Sequence, residues 1–173
     1  MSQILLINIK NLLQVRDLET SYVSGKEMSL IPSIKSAYLL IDNGIIKDFG
    51  EMKNSPKNLE KFNTVDCKGK MVLPSWCDSH THIVYAGNRS NEFIDRIKGL
   101  SYNEIANNGG GILNSVDILR STNEEDLLKQ SSNRIKEVIN QGTGAIEIKS
   151  GYGLNMQSEK KMLQVISLSL IHI

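Results

Sequence analysis

Asp78-Ser79-His80-Thr81-His82 gathers two of the chain's three histidines two residues apart, just after an apolar run that opens with Met71-Val72-Leu73-Pro74. On a strand, side chains at i and i+2 share a face. The spacing therefore sets His80 and His82 side by side, and parity puts Asp78 on the same face. Two neutral imidazole nitrogens so placed can share one divalent metal, at Zn–N distances of about 2.0–2.1 Å. Asp78 reads as a residue that orients a histidine or closes the strand end, not as a ligand.

A strand over 71–77, ending in the His-x-His loop, is expected to carry this pair. From Gly69-Lys70 onward strand-like runs alternate with helical patterns, the signature of βα units and a parallel sheet. A short helix fits 91–97. Ser101 with Glu104 forms a capping-box pattern, so a helix starts there, and Gly109-Gly110-Gly111 stops it. Residues 112–119 fit a helix or an extended segment. Thr122-Asn123-Glu124-Glu125 reads as a second capping box opening a helix over about 123–140, with Leu127, Leu128, Ile135, Val138 and Ile139 near a 3.6 period and Gly142 as its stop. Ala145–Lys149 reads as a short strand, with Glu147 and Lys149 on one face as a structural ion pair. It runs into the turn-rich Ser150-Gly151-Tyr152-Gly153-Leu154. A last helix is expected over 157–168, with Met162, Leu163, Val165 and Ile166 as its apolar face.

The preceding residues have another character. Residues 3–14 fit one or two short strands, and 17–34 a long loop or hairpin. Asn43-Gly44, between the apolar runs 37–41 and 45–48, is a type I′ hairpin signal. Residues 51–62 are charged and carry no apolar stripe, and Thr64–Cys67 fits another short strand. Residues 1–68 thus read as a small β domain and 69–173 as the βα region.

Composition excludes several classes. The chain has 173 residues, 40% hydrophobic and 23% charged, with a formal net charge of +1. That balance gives no argument for nucleic acid or an anionic membrane, and no apolar run reaches the ~20 residues of a membrane span. Two cysteines, Cys67 and Cys77, make no disulfide framework and fit a reducing, cytoplasmic setting. The glycine triplet is no phosphate cradle, since no GxxxxGK[ST] pattern accompanies it.

Residues 64–164 resemble imidazolonepropionase, of the amidohydrolase superfamily. Leu73-Pro74 with Asp78-Ser79-His80-Thr81-His82 is similar to the superfamily's first metal motif. The narrower likeness lies in Gly87-Asn88-Arg89-Ser90-Asn91-Glu92-Phe93, in Tyr102 through Ile112, and in Glu147-Ile148-Lys149-Ser150-Gly151-Tyr152-Gly153-Leu154. The resemblance implies an α/β fold: an incomplete (β/α)8 TIM-type barrel of the amidohydrolase kind, preceded by a small β-sandwich segment. It implies hydrolysis of the cyclic amide of 4-imidazolone-5-propanoate to N-formimidoyl-L-glutamate in histidine degradation. It also implies one Zn2+ or Fe3+ per subunit, a small-molecule partner, no nucleic acid or membrane, and room for an oligomer.

Residue by residue, His80 and His82 carry over as metal ligands, and Arg89 and Tyr152 as substrate contacts. Arg89 can pair bidentately with the propionate. Tyr152, between glycines that let the backbone approach a ligand, can hydrogen-bond the ring or the tail. Ser75 stands where the family has glycine, which predicts a strained turn, and Trp76 is bulky for its place. A full barrel takes about 250 residues, so the chain reads as a truncated, inactive fragment. No catalytic acid/base residue is identified; it is expected beyond Ile173. His172 lies in a tail that departs from the family and is not recruited as a ligand. The alternatives are another amidohydrolase, a deaminase or cyclic-amide hydrolase, sharing the histidines but not needing Arg89, and a non-catalytic fragment that binds a partner chain.

Overall fold

The computed structural model describes residues 3–16 and 20–171. The chain divides into two compact units, Met1–Pro74 and Ser75–Ile173.

The first unit is built on β1 (Ile4–Leu13), β2 (Ser33–Asp42) and β3 (Ile45–Glu51), joined antiparallel. β4 (Asn63–Asp66) and β5 (Met71–Val72) run parallel to β1, one beside its first half and one beside its second. Asn43 and Gly44 both have positive φ, 53° and 80°, as a type I′ turn requires. β1 is one strand with a bulge between Leu6 and Ile9, where Asn8 takes φ 54°. The bulge switches the strand's apolar residues between faces. Leu5 packs with Tyr38 and Leu40, while Ile9 and Leu12 pack with Ala37 and Leu39. Among the described residues this is one five-stranded sheet, not two facing sheets. Residues 17–19, part of the expected loop or hairpin over 17–34, lie outside the described residues. The rest of that stretch before β2 holds a 3-10 turn at Gly25–Ser29.

The second unit pairs β6 (Trp76–Thr81) with β7 (Thr143–Ile148) in parallel, as βα alternation predicts. Between them come α1 (Ser90–Ile97), α2 (Tyr102–Asn107), α3 (Gly111–Ser121) and α4 (Glu124–Asn140), and α5 (Met156–Ile171) follows. The core joins Val84 and Ala86, just past β6, to Leu119 of α3, Leu127 of α4, and Met162 and Val165 of α5.

Four expectations need correction. Residues 71–77 are not one strand: Met71–Val72 completes the first unit's sheet, and the histidine-bearing strand begins at Trp76. The Leu73-Pro74 step separates the two, because proline cannot donate to a ladder. The N-cap of α4 is Asn123, not Thr122; the Asn123 carboxamide accepts from the Asp126 amide at 2.8 Å. Leu163 is exposed rather than part of the apolar face of α5, whose buried stripe runs Ser158, Met162, Val165, Ser169. The Ser101–Glu104 capping box is present as expected. Ser75 causes no strain, since its φ is not positive. It is instead fitted against Gly144, where a Cβ would lie 2.0 Å from the Ser75 hydroxyl.

Candidate metal centre

The two histidines meet as the spacing implies. His80 is the fifth residue of β6 and His82 lies just past the strand's end. Their ring centroids are 5.5 Å apart, with planes inclined by 57°. Between them Thr81 pins the strand to its neighbour. Its hydroxyl donates to the Glu147 carbonyl at 2.7 Å, and its own carbonyl accepts from the Lys149 amide at 2.9 Å. The β6–β7 ladder shifts register between Asp78 and Thr81: these residues pair with Ile146 and Ile148, so three steps on one strand match two on the other. That bulge breaks the alternation that put Asp78 on the histidines' face. The Asp78 carboxylate turns to the backbone instead and accepts from the His80 amide at 3.3 Å.

The pair suits a metal by distance. At a metal–nitrogen distance of about 2.0–2.1 Å, two imidazoles can share an ion when their centroids lie within roughly 6 Å. His82 Nδ1 is also buried without a hydrogen-bond partner, a state that buried polar atoms rarely keep. Among the described residues no third His, Cys, Asp or Glu joins the pair as a metal-holding group. His172 lies outside the described residues.

Tyr152 is brought to the histidines across the sequence. Its ring meets His82 edge-on at 5.3 Å between centroids. Its loop is seated on α5. The Glu159 carboxylate accepts from the amides of Gly153 at 2.7 Å and Leu154 at 3.0 Å, and Arg120 donates to the Gly153 carbonyl at 2.9 Å. Burial acts to raise the Glu159 pKa, but hydrogen bonds from Ser150 and from the amides of Leu154, Gly153 and Gly151 outweigh it and hold it below the usual carboxylate range. Gly153 has no room for a side chain: a Cβ would lie 2.6 Å from the Glu159 nitrogen and 2.7 Å from the Ser158 carbonyl carbon.

Arg89 sits immediately before α1 with its guanidinium paired to Glu92 through Nε, at 2.9 Å, and through Nη2. The Glu92 hydrogen bond raises its pKa, as do the nearby phenols of Tyr102 and Tyr152, while burial opposes them. Glu147 and Lys149 form the expected ion pair.

Sequence reasoning missed three residues that hold this site. Glu92 is buried beneath Arg89, and Glu159 holds the Tyr152 loop. Arg134 of α4 reaches back to the segment after His82: Nε donates to the Ile83 carbonyl at 2.8 Å, Nη2 donates to the Tyr85 carbonyl, and the guanidinium lies 3.8 Å over the Tyr85 ring. Glu92 and Glu159 each stand in the first turn of a helix, which was the available signal, since acidic residues favour that turn.

Imidazolonepropionase of Flavobacterium psychrophilum is 61% identical over 162 residues, covering 94% of this chain and 39% of that protein. Imidazolonepropionase of Christiangramia forsetii is 62% identical over 163 residues, with the same two coverages. By sequence, the chain belongs with the imidazolonepropionases. It spans about two fifths, 39%, of the length of these curated relatives. No protein-family model matches it. In fold it is similar to E. coli guanine deaminase, with a TM-score of 0.60 at 18% identity over 97% of this chain and 34% of that one. That likeness supports the mixed α/β architecture of this chain. Among the described residues no helix is long and apolar enough to cross a membrane.

Proposed function

We propose that the chain carries the opening part of a metal-dependent site that hydrolyses the cyclic amide of 4-imidazolone-5-propanoate to N-formimidoyl-L-glutamate. The observation that carries this reading is the grouping of His80, His82 and Tyr152: two imidazoles lie within reach of one ion, and a phenol lies against the second. His80 and His82 would hold the metal. When bound, it supplies Lewis acidity toward the ring carbonyl and an activated water. Imidazole donors accept both zinc and iron. Tyr152 borders the space beside His82 and offers a hydroxyl to the ring or the propionate. Arg89 neutralises the carboxylate and fixes the ring's orientation, so that binding energy from the unreactive tail positions the reacting carbonyl.

The fold reading extends accordingly. β6 and β7 are the first two strands of a (β/α)8 barrel, with the site at their C-terminal ends. Parallel strands are ordinarily covered on both faces, yet residues 76–80 of β6 are exposed. Further barrel strands would cover them and bring the remaining ligands and the acid/base residue. The two free thiols fit a cytoplasmic setting.

The test is a full-length chimera in which the matched 163 residues of this chain replace their counterpart in the Christiangramia forsetii relative. The chimera is expected to open the imidazolone ring. His80→Ala and His82→Ala should each abolish stoichiometric metal binding and turnover, and Arg89→Ala should lose turnover chiefly through KM. A chimera indifferent to Arg89→Ala would favour a different amidohydrolase substrate. A well-folded chimera that binds metal without these histidines would refute the metal reading.

A further inference from the structure

The proposed site leaves one buried charge without a part. Glu92 is only 8% exposed, although it lies in the first turn of an eight-residue helix beside the protein surface. An i, i+3 ion pair on a helix is ordinarily exposed and weak. This one is different in three respects. The Glu92 carboxylate takes two donors from one guanidinium, Nε to Oε1 and Nη2 to Oε2. Oε1 also accepts from the Gly111 amide at 2.9 Å, which ties it to the first turn of α3. And the wall behind it is glycine: a Cβ on Gly110 would lie 3.2 Å from Glu92 Cδ and 2.8 Å from the Ile105 carbonyl oxygen. The glycine triplet thus lets the backbone close over this carboxylate.

A guanidinium has five N–H donors and more than one edge that fits a carboxylate. Glu92 consumes the Nε–Nη2 edge. Both hydrogens of Nη1 and one of Nη2 remain, and one from each nitrogen forms the edge at the tip of the side chain. The Arg89 side chain is 46% exposed. We propose that Glu92 is a positioning residue: by gripping the Nε–Nη2 edge of Arg89 and the Gly111 amide together, it presents the Nη1–Nη2 edge of Arg89 to the carboxylate of the substrate. The inference rests on the reading of Arg89 as the receptor for that carboxylate. Glu92 also keeps the guanidinium from folding onto a ligand through the wrong edge, because the side edge is already filled. Its own carboxylate does not meet the substrate, since Arg89 lies between them.

The experiment uses the full-length chimera with two substrates, 4-imidazolone-5-propanoate and its propionamide, compared by kcat and KM. The unsubstituted chimera is expected to prefer the carboxylate. Arg89→Ala should erase the preference. Glu92→Gln keeps the shape but turns an amide NH2 group toward Arg89, and should raise KM for the carboxylate substrate about tenfold with little change in kcat. It should leave the propionamide nearly unaffected. Glu92→Asp, one methylene too short to span Arg89 and Gly111, should behave likewise, and Arg89→Ala with Glu92→Gln should be no worse than Arg89→Ala alone.

If Arg89→Ala leaves the preference intact, the reading of Arg89 itself is lost. If Arg89→Ala erases it while the Glu92 variants keep it and only melt at lower temperature, Arg89 stands and the role of Glu92 is overturned. Should the variants fail to fold, the unsubstituted protein still decides. The Arg89 Nε proton should exchange slowly with solvent in NMR before any ligand is present, and the Nη1 protons should slow only on adding substrate. Fast exchange at Nε in the folded protein would refute the proposal.

Discussion

Replacing Glu159 by alanine should loosen the Tyr152 loop by an amount that follows from its contacts. One oxygen, Oε1, accepts from two backbone amides. Gly153 is buried, so its amide would bear the full cost of an unsatisfied donor, about 1–3 kcal/mol. Leu154 is 54% exposed, so water can replace the carboxylate there and the loss is about 0.5–1.5 kcal/mol. Together Glu159→Ala should cost about 1.5–4.5 kcal/mol. Glu159→Gln keeps an acceptor at the same place but not the charge, and should cost about 1 kcal/mol. The assay is amide hydrogen exchange in the full-length chimera. Protection at Gly153 should fall by about tenfold to about a thousandfold or more in the alanine variant and by less than about tenfold in the glutamine variant. Because the folded pKa of Glu159 lies below its ordinary 4.5, the stabilisation is fully present above that pH and is lost as the pH falls through the folded value. Unchanged protection at Gly153 in Glu159→Ala, or a glutamine variant as damaged as alanine, would refute the reasoning.

Three other outcomes are expected. Gly153→Ala drives a Cβ against the backbone of Ser158 and Glu159, which no rotamer change relieves, so the urea midpoint should drop by an amount equivalent to about 1–3 kcal/mol; an unchanged midpoint would contradict the packing. Arg134→Met keeps the stem but strips donors from the Ile83 and Tyr85 carbonyls, and equilibrium dialysis should show weaker metal binding by His80 and His82 than in the unsubstituted chimera; equal affinity would show that the clamp does not matter to the pair. Burial, with help from Asp48, pushes the Tyr38 phenol up to about 12. Its phenolate absorbance should therefore appear late, and stability should be complete below pH 10 and lost as the pH rises toward 12. Asp48→Asn should lower that value yet leave it above 10, because burial is the larger cause.

What the sequence made legible was local. The Asn43-Gly44 turn, the Ser101–Glu104 box and the i, i+2 histidines each state their geometry within four residues, and the structure reproduces all three. Elements whose identity depends on a distant neighbour were less legible. Met71–Val72 looks like the start of a strand running on to Cys77, but its hydrogen-bonding partner is Asn11–Leu12, some sixty residues earlier. Arg134 is 51 residues from the carbonyl it holds, and its arginine type alone could equally mark a solvated helix face. Glu159 is the acid in the first turn of α5, where the helix itself accounts for it, so its hold on the Tyr152 loop is masked by that simpler role. Asp78 was misplaced because alternation assumes an unbroken ladder, and a bulge carries no composition signal when no glycine marks it.

That bulge has a consequence for how the chain tolerates change. Thr81 stands opposite Ile148 on the far side of the bulge, and the two histidines flank it. Removing Ser79 would close the bulge and straighten the ladder with Thr81 still opposite Ile148, leaving both imidazoles on the face away from it. A residue inserted between His80 and His82 would instead break their i, i+2 spacing and part the rings onto opposite faces. The stretch is tolerant of length ahead of His80 and closed to it between the histidines.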